Sequence, residues 1–369
     1  MLYCRCPSAS VFSAPTGGGE HGGITGENVS SALIKCGLIP SVIDVVNALQ
    51  VASFHIDFDN VQHLKRLPTY IKVLSALLHC TLTVKPSLYR QVCLEAPRRE
   101  RRPLALREII QELPRTEAKH LTAAIGKDTE NNPLYLDLST APHLLIAGTT
   151  GSGKSVLLNG ILSSLLFNYS PNDLQLLLID PKQVEMVKYR GIPHLVKDVI
   201  TDIDEAEKVL SIACRVMDDR YKELSRQGLK SIVGTKYPRI AIVIDELSDL
   251  MMKSGGEGSE LERSIIRIAQ LGRAAGIHLI IATQRPTKQV LTGMIRANIT
   301  CKIALQVSSI RESVVILDHK GAETLTGKGD ALIKLPTQVE EVRFQSVYTS
   351  DNDIQAIVDF WKYKGVYSA

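Results

Sequence analysis

His143-Leu144-Leu145-Ile146-Ala147 runs straight into Gly148-Thr149-Thr150-Gly151-Ser152-Gly153-Lys154-Ser155, and the fold of the chain turns on this stretch. The first five residues are mostly apolar and do not alternate with polar ones, as in a strand buried on both faces. The next eight satisfy GxxxxGK[ST] at every fixed position. Lys154–Phe167 then reads as a helix. In this strand–loop–helix setting the glycines let backbone N–H groups curl around phosphate oxygens, and the helix adds the positive end of its dipole. Gly148, Thr149, Thr150, Gly151, Ser152, Gly153, Lys154 and Ser155 are therefore the expected nucleotide-binding residues. Lys154 is expected to reach the β- and γ-phosphates of ATP, and the Ser155 hydroxyl to ligate Mg²⁺.

Working outward, three more short apolar runs follow the same rule: Leu174–Ile179, Ile240–Ile244 and Ile277–Ala282. Longer helix-compatible segments separate them, among them Ile203–Gln227 and Ser259–Ala275. Strands alternating with helices predict a doubly wound α/β domain with a mostly parallel sheet, from Lys119 to the C-terminus. Ligands in such sheets bind at the carboxyl ends of the strands. Two of the runs end in chemistry. Ile240–Ile244 is followed by Asp245, suited to the Mg²⁺ shell, and Glu246, suited to polarise an attacking water as general base. The next strand closes on Gln284, which can sense a terminal phosphate or orient the water. Lys154, Glu246 and Gln284 are thus candidate catalytic groups, and Ser155 with Asp245 the candidate metal ligands.

The flanks are plainer. Residues 1–30 are rich in Gly, Ser and Thr and read as a flexible leader; residues 31–118 read as a small α/β domain. Arg98-Arg99-Glu100-Arg101-Arg102 looks like a basic loop. The seven scattered cysteines form no CxxC pair, so neither a zinc site nor a disulfide framework is signalled, and a reduced, cytoplasmic setting fits. No apolar run approaches the ~18–20 residues needed to span a bilayer, so the polypeptide is expected to be soluble. The net charge of +4 permits nucleic acid without arguing for it.

Beyond the general P-loop motifs, several stretches resemble the FtsK/SpoIIIE family. They include Pro142-His143-Leu144-Leu145-Ile146-Ala147-Gly148, Ile179-Asp180-Pro181-Lys182, Gly191-Ile192-Pro193-His194-Leu195 and Asp245-Glu246-Leu247-Ser248-Asp249-Leu250-Met251-Met252. Others are Arg273-Ala274-Ala275-Gly276-Ile277-His278-Leu279, Ala282 to Pro286, Gln306-Val307-Ser308-Ser309, Ile316-Leu317-Asp318 and Gly327-Lys328-Gly329-Asp330. Their order and spacing are similar to the family's over residues 119–365. The resemblance implies a RecA-like P-loop NTPase domain preceded by a small α/β domain, and an ATP-driven double-stranded DNA translocase built as a homo-oligomeric, hexameric ring with DNA in its channel. It also implies that Arg273 is an arginine finger acting on a neighbour's nucleotide, with Arg267 as the nearby rival. Membrane-spanning helices and a C-terminal winged-helix domain, both found in the family, are not expected in this sequence, and any link to a membrane or to recombination is expected to run through partner proteins.

Arg285 to Lys302 carries Arg285, Lys288, Arg296 and Lys302 and no acid, which suits contact with a phosphate backbone. Arg285 and Arg296 fall where the family places channel-facing basic residues. Relatives carry a Lys and an Arg where this chain has Ile310 and Val314; Arg311 lies on a similar helix face and is the remaining candidate there. Nothing resembles a recognition helix or an aromatic stacking platform, so sequence-specific readout is not expected. Two other readings stand beside the translocase: a coupling or packaging ATPase that feeds DNA to a pore, and an ATP-dependent scaffold that assembles on DNA with little turnover.

Overall fold

The computed structural model describes residues 24–47, 49, 51–86, 91–98, 102–113, 120–338 and 340–366. They divide into two compact units. One holds the described residues up to Leu104 together with Lys127–Pro133; the other holds Ala105–Gly126 and Leu134 onward.

The first unit begins with helix α1 (Gly26–Lys35), followed by strands β1 (Val42–Asn47) and β2 (Val51–Asp57), helix α2 (Val61–Leu77), and strands β3 (Thr83–Pro86) and β4 (Gln91–Pro97). The strands pair antiparallel in the order β1-β2-β4-β3. Val29, Leu33, Leu67 and Leu74 from the helices pack with Phe54, Ile56 and Leu94 from the sheet in one core. The flexible-leader expectation is corrected for residues 24–30. Thr25 accepts the Asn28 N–H through its hydroxyl, and the Asn28 side chain accepts the Thr25 N–H, so two free donors of the helix start are satisfied and α1 begins at Gly26. Residues 1–23 lie outside the described residues, as do Arg99–Arg101 of the basic run. Helix α2 runs on past Pro68 to Leu77.

The second unit opens at the short strand β5 (Leu104–Ala105) and helix α3 (Arg107–Ile110). Leu106 donates its N–H to Tyr348 O (3.0 Å), and Ile109 and Ile110 are buried, which ties this segment to the large unit. The division between units therefore falls at residues 104–105, earlier than the expected boundary at 118–119. Strands β6 (Thr122–Asp128) and β7 (Pro133–Asp137) precede β8 (His143–Ala147). Then come α4 (Lys154–Asn168), β9 (Leu174–Ile179), α5 (Ile203–Gln227), β10 (Arg239–Ile244), α6 (Leu247–Lys253), α7 (Glu260–Ala275) and β11 (Ile277–Thr283). The chain ends with α8 (Gly293–Asn298), β12 (Cys301–Leu305), α9 (Ile310–Leu317), β13 (Asp330–Lys334), β14 (Val342–Tyr348) and α10 (Asp351–Val366).

The sheet order is β7-β6-β14-β13-β12-β8-β11-β10-β9. Its β12-β8-β11-β10-β9 portion is parallel, and β13 and β14 extend it antiparallel. This is the RecA-like P-loop arrangement. The apolar runs read from the sequence form β8, β9, β10 and β11, and the helices expected between them are present. After β8 the chain crosses to β9 at the edge of the sheet and returns through β10, so that β11 fits between β10 and β8.

Helix α4 is buried on every side from Leu157 to Phe167, which explains a sequence without a polar face. Helix α10 fastens it: Trp361 is fully buried and donates its indole N–H to Leu166 O at 2.9 Å. His194 meets Trp361 edge-to-face with ring centroids 4.5 Å apart, and its Nε2 lies 3.0 Å from Tyr169 O. Burial drives the pKa of His194 down to about 4, and those of His143 and His278 down to about 3 and about 4.

These depressed values set a pH dependence. The folded histidines stay neutral while the unfolded chain takes up protons below about 6.5, so their stability is present above that pH and is lost as pH falls toward about 4. Urea unfolding should show the stability gap between the protein and His194→Gln narrowing by about 2 kcal/mol from pH 7 to pH 5. A gap constant with pH would place a proton on folded His194.

Candidate functional site

Parallel pairing brings the ends of β8, β10 and β11 to one edge of the sheet. Ala147 lies opposite Thr283, and Ile244 opposite Ile281. The loop that leaves β8 is anchored at both ends. Gly148 donates its N–H to Thr283 O (3.3 Å), and Thr149 donates both its N–H and its hydroxyl to Gln306 O (3.0 Å each). Further on, Gly329 donates its N–H to Ser152 O (2.7 Å). Two glycines are demanded by space. A Cβ on Gly148 would lie 2.6 Å from Ser152 Oγ and 2.8 Å from Leu305 Cβ; one on Gly153, already at φ 107°, would lie 2.6 Å from Gly329 N. Gly153 opens α4, so Lys154 and Ser155 occupy its first turn.

Lys154 and Asp245 meet across the edge, buried, with Lys154 Nζ 2.9 Å from Asp245 Oδ1 and 2.6 Å from Asp245 O. Burial raises the Asp245 carboxyl above its usual range, against the attraction of Lys154. Glu246 is the N-cap of α6, with only 1% of its surface exposed. Its Oε1 accepts from the Ser248 hydroxyl (2.8 Å) and the Thr283 hydroxyl (2.8 Å). Its Oε2 accepts the Gln284 N–H at 3.0 Å. Burial opposes ionisation of Glu246, but the hydrogen bonds from Thr283 and Ser248 and the nearby Lys154 charge outweigh it and hold the carboxyl below its usual range. The Gln284 side chain reaches the loop, where its Oε1 accepts from Thr150 Oγ1 at 2.8 Å. The structure thus gathers Lys154, Asp245, Glu246, Gln284 and Thr150 at one place.

No group of three or more His, Cys, Asp or Glu is assembled for a metal among the described residues. One carboxylate and one hydroxyl, Asp245 and Ser155, are the hard-oxygen partial set that suits Mg²⁺ when phosphates and waters complete its shell. Ser248, Thr283, Gln306 and Gly329 were missed as site residues in the sequence. A hydroxyl two places after the N-cap acid was the available signal for Ser248; for the rest, only the fold shows the contact.

Arg273 lies elsewhere. It is exposed in the last turn of α7, where β11 begins, while the loop sits where the strands end; a seven-residue strand, roughly 20 Å, separates the two edges. Its Nε donates to Ser139 O (3.2 Å), and it borders a cavity with Lys230 and Arg239 whose lining has no carboxylate. Arg267 is held to both oxygens of Asp218, at 2.8 and 3.0 Å.

The basic candidates divide. Arg285, Lys288 and Arg311 are exposed, with no ion pair among the described residues. Arg296 and Lys302, by contrast, are paired. Asp318 approaches them at 3.6 and 3.1 Å, Arg296 also donates to Leu291 O, and Lys302 is buried. The segment contains no acid, but the fold supplies one from outside it. Ile310 and Val314 are exposed on α9.

The FtsK/SpoIIIE family profile matches residues 105–236 and 233–288. This chain belongs to the FtsK/SpoIIIE family. It is 44% identical over 281 residues to the DNA translocase FtsK of Leptospira interrogans, covering 72% of this chain and 29% of that protein. It is 44% identical over 277 residues to the DNA translocase SftA of Bacillus subtilis, with the same coverages. The chain thus spans less than a third of the length of these relatives. Among solved structures it is similar to the pCW3 conjugation coupling protein TcpA with ATPγS, at TM-score 0.64 and 25% identity over 92% of this chain and 99% of that one. The cytoplasmic domain of the type VII secretion ATPase EccC of Thermomonospora curvata matches at TM-score 0.58 and 27% identity, over 68% of this chain and 32% of that one. Like other members of the FtsK/SpoIIIE family, the chain carries a P-loop ATPase domain. No described helix is long and apolar enough to cross a membrane.

Gly153→Ala should abolish binding of a fluorescent ATP analogue and lower the melting temperature, because neither its φ nor the Gly329 backbone leaves room for a methyl. Unaltered affinity in the variant would mean that the loop re-forms around the extra carbon.

Proposed function

We propose that this chain hydrolyses ATP and couples hydrolysis to movement along double-stranded DNA, working as a homo-oligomeric ring, most simply a hexamer, in the segregation or transfer of DNA. The observation that carries the proposal is the convergence of Lys154, Asp245, Glu246 and Gln284 on the carboxyl edge of β8, β10 and β11. The names of the 44%-identical translocases support DNA as the substrate.

Within the site, Lys154 leaves Asp245 to take up the β- and γ-phosphates. Ser155 and Asp245 are the residues that would hold Mg²⁺, which when bound would supply neutralisation of phosphate charge. Glu246 Oε2 accepts a proton from the attacking water as its oxygen bonds to the γ-phosphorus and the bond to the β,γ-bridging oxygen breaks, leaving ADP and phosphate. Gln284, tied to Thr150, reports the terminal phosphate to β11 and to the loop carrying Arg285 and Lys288.

Arg273 cannot serve the site of its own chain from the opposite edge of the sheet. It is suited to a neighbour's site, since a cavity with Lys230 and Arg239 and no carboxylate favours an anionic group. Arg285, Lys288 and Arg311 would touch the DNA backbone, positioning it without reading sequence. A second reading, an ATP-dependent ring on DNA with little movement or a coupling scaffold, draws on one observation: α9 exposes Ile310 and Val314 beside a single cation, Arg311.

ATP turnover with and without long duplex DNA, at two salt concentrations, separates these readings, followed by triplex displacement. Strong, salt-sensitive stimulation is expected. Glu246→Gln should lower turnover by about 10²–10⁴-fold with nucleotide binding intact. Arg273→Ala should lose about 10³-fold or more in the assembled protein only. Turnover indifferent to DNA would favour the scaffold.

Charge reversal at Arg285 or Lys288 should weaken DNA binding alike for all sequences and flatten the dependence of log K on log salt by about one for each phosphate no longer neutralised. A variant that changes sequence preference instead would contradict backbone contact.

A further inference from the structure

The Ile179-Asp180-Pro181-Lys182 stretch is absorbed by none of the roles above, yet it ends beside the general base. Strand β9 neighbours β10 with Ile179 opposite Ile244, so the turn after β9 lies next to Asp245 and Glu246. That turn is wound around Asp180, which is fully buried. Asp180 Oδ2 accepts the N–H groups of Val184 (3.0 Å), Glu185 (3.0 Å) and Met186 (2.9 Å), and Asp180 O accepts that of Gln183 (3.1 Å). Gln183 is held at φ 58°, a conformation that non-glycine residues seldom adopt without surrounding support.

The side chain this turn projects is Lys182. Its ammonium stands 3.6 Å from Glu246 Oε2 and 3.5 Å from Asp249 Oδ2. The two carboxylates belong to the cap and the first turn of α6, so one cation ties β9 to the start of that helix. The oxygens of Glu246 are not equivalent. Oε1 is taken by the hydroxyls of Ser248 and Thr283, while Oε2 receives the Gln284 N–H and faces Lys182. Oε2 is therefore the oxygen left to accept a proton from water. At 3.6 Å the ammonium attracts Oε2 without occupying its remaining lone pair as a short hydrogen bond would.

We propose that Lys182 is a positioning residue for ATP hydrolysis: held by Asp249, it orients the Glu246 carboxylate so that Oε2 faces the attacking water. This rests on the hydrolytic reading of the site given above. Exposed ion pairs commonly contribute little to stability, and Lys182 is 44% exposed, so its removal should leave the fold intact and act on rate. A misplacement of a reacting group by about 1 Å can cost about 10²-fold in rate, which sets the scale expected here.

The test is steady-state ATP turnover of the full chain with duplex DNA, comparing Lys182→Ala, Lys182→Arg, Asp249→Asn and the Lys182→Ala/Asp249→Asn pair, with Glu246→Gln alongside. Lys182→Ala should lower kcat by about 10–10²-fold with KM for ATP and the melting temperature little changed. Lys182→Arg should recover part of the loss, and Asp249→Asn should show a smaller loss in kcat. The double variant should be no worse than Lys182→Ala alone. Wild-type turnover in Lys182→Ala, beside a dead Glu246→Gln, would overturn the inference and leave the hydrolytic reading standing. So would a loss that appears in KM alone, or losses at Lys182 and Asp249 that multiply. Absence of turnover in the unaltered protein under every condition would remove the reading and the inference together.

Discussion

The nucleotide edge depends on β11 lying hydrogen-bonded between β8 and β10. Parallel pairing in this register sets Ala147 against Thr283 and Ile244 against Ile281, and the three strands therefore end together. From there each contact follows. Thr283 O receives the first N–H of the phosphate loop, the Thr283 hydroxyl reaches Glu246, and the next residue, Gln284, faces Thr150. A slip of one residue would turn every β11 side chain to the other face of the sheet and take from Glu246 the Thr283 hydroxyl and the Gln284 N–H, leaving it only the donors of α6. Because β11 is buried along its whole length, the apolar packing that fixes its register also fixes the chemistry at its tip.

Much of this was legible in the chain. Strands buried on both faces lose the polar alternation of half-exposed ones, so His143–Ala147, Leu174–Ile179, Ile240–Ile244 and Ile277–Ala282 stood out as uninterrupted apolar runs, and the phosphate loop named itself. The residues that touch across the site were less visible. Lys154 and Asp245 are separated by 91 positions, and no local pattern says that the strand before Gln284 enters between the other two. Counting charges within Arg285–Lys302 found no acid, because the acid that pairs with Arg296 and Lys302 is Asp318 from the end of α9. The Gly, Ser and Thr content of residues 1–30 reads as leader, and it hides the start of α1, whose cap uses Asn28 where the familiar pattern has Glu or Gln. A proline inside a helix commonly interrupts it, yet α2 runs through Pro68.

The opposed placement of Arg273 and the phosphate loop gives the domain a polarity. One edge of the sheet gathers the carboxylates Asp245, Glu246 and Asp249 around Lys154 and Lys182; the other offers Arg273, Lys230 and Arg239 around a cavity without an acid. Unlike edges on one body favour head-to-tail contact between copies, and a head-to-tail contact closes into a ring when its rotation divides the circle. The proposed oligomer and the proposed finger thus draw on the same asymmetry.

Helix α4 has no free face, and Trp361 pins it from the side away from its loop. The floor of the phosphate site is consequently bedrock: a helix packed all round has nowhere to tilt, and its first turn cannot wander relative to the sheet. The segment after Gln284, where Arg285, Thr287, Lys288 and Gln289 are exposed, is less confined. A machine built on this domain would keep its anvil still and draw its stroke from the rim.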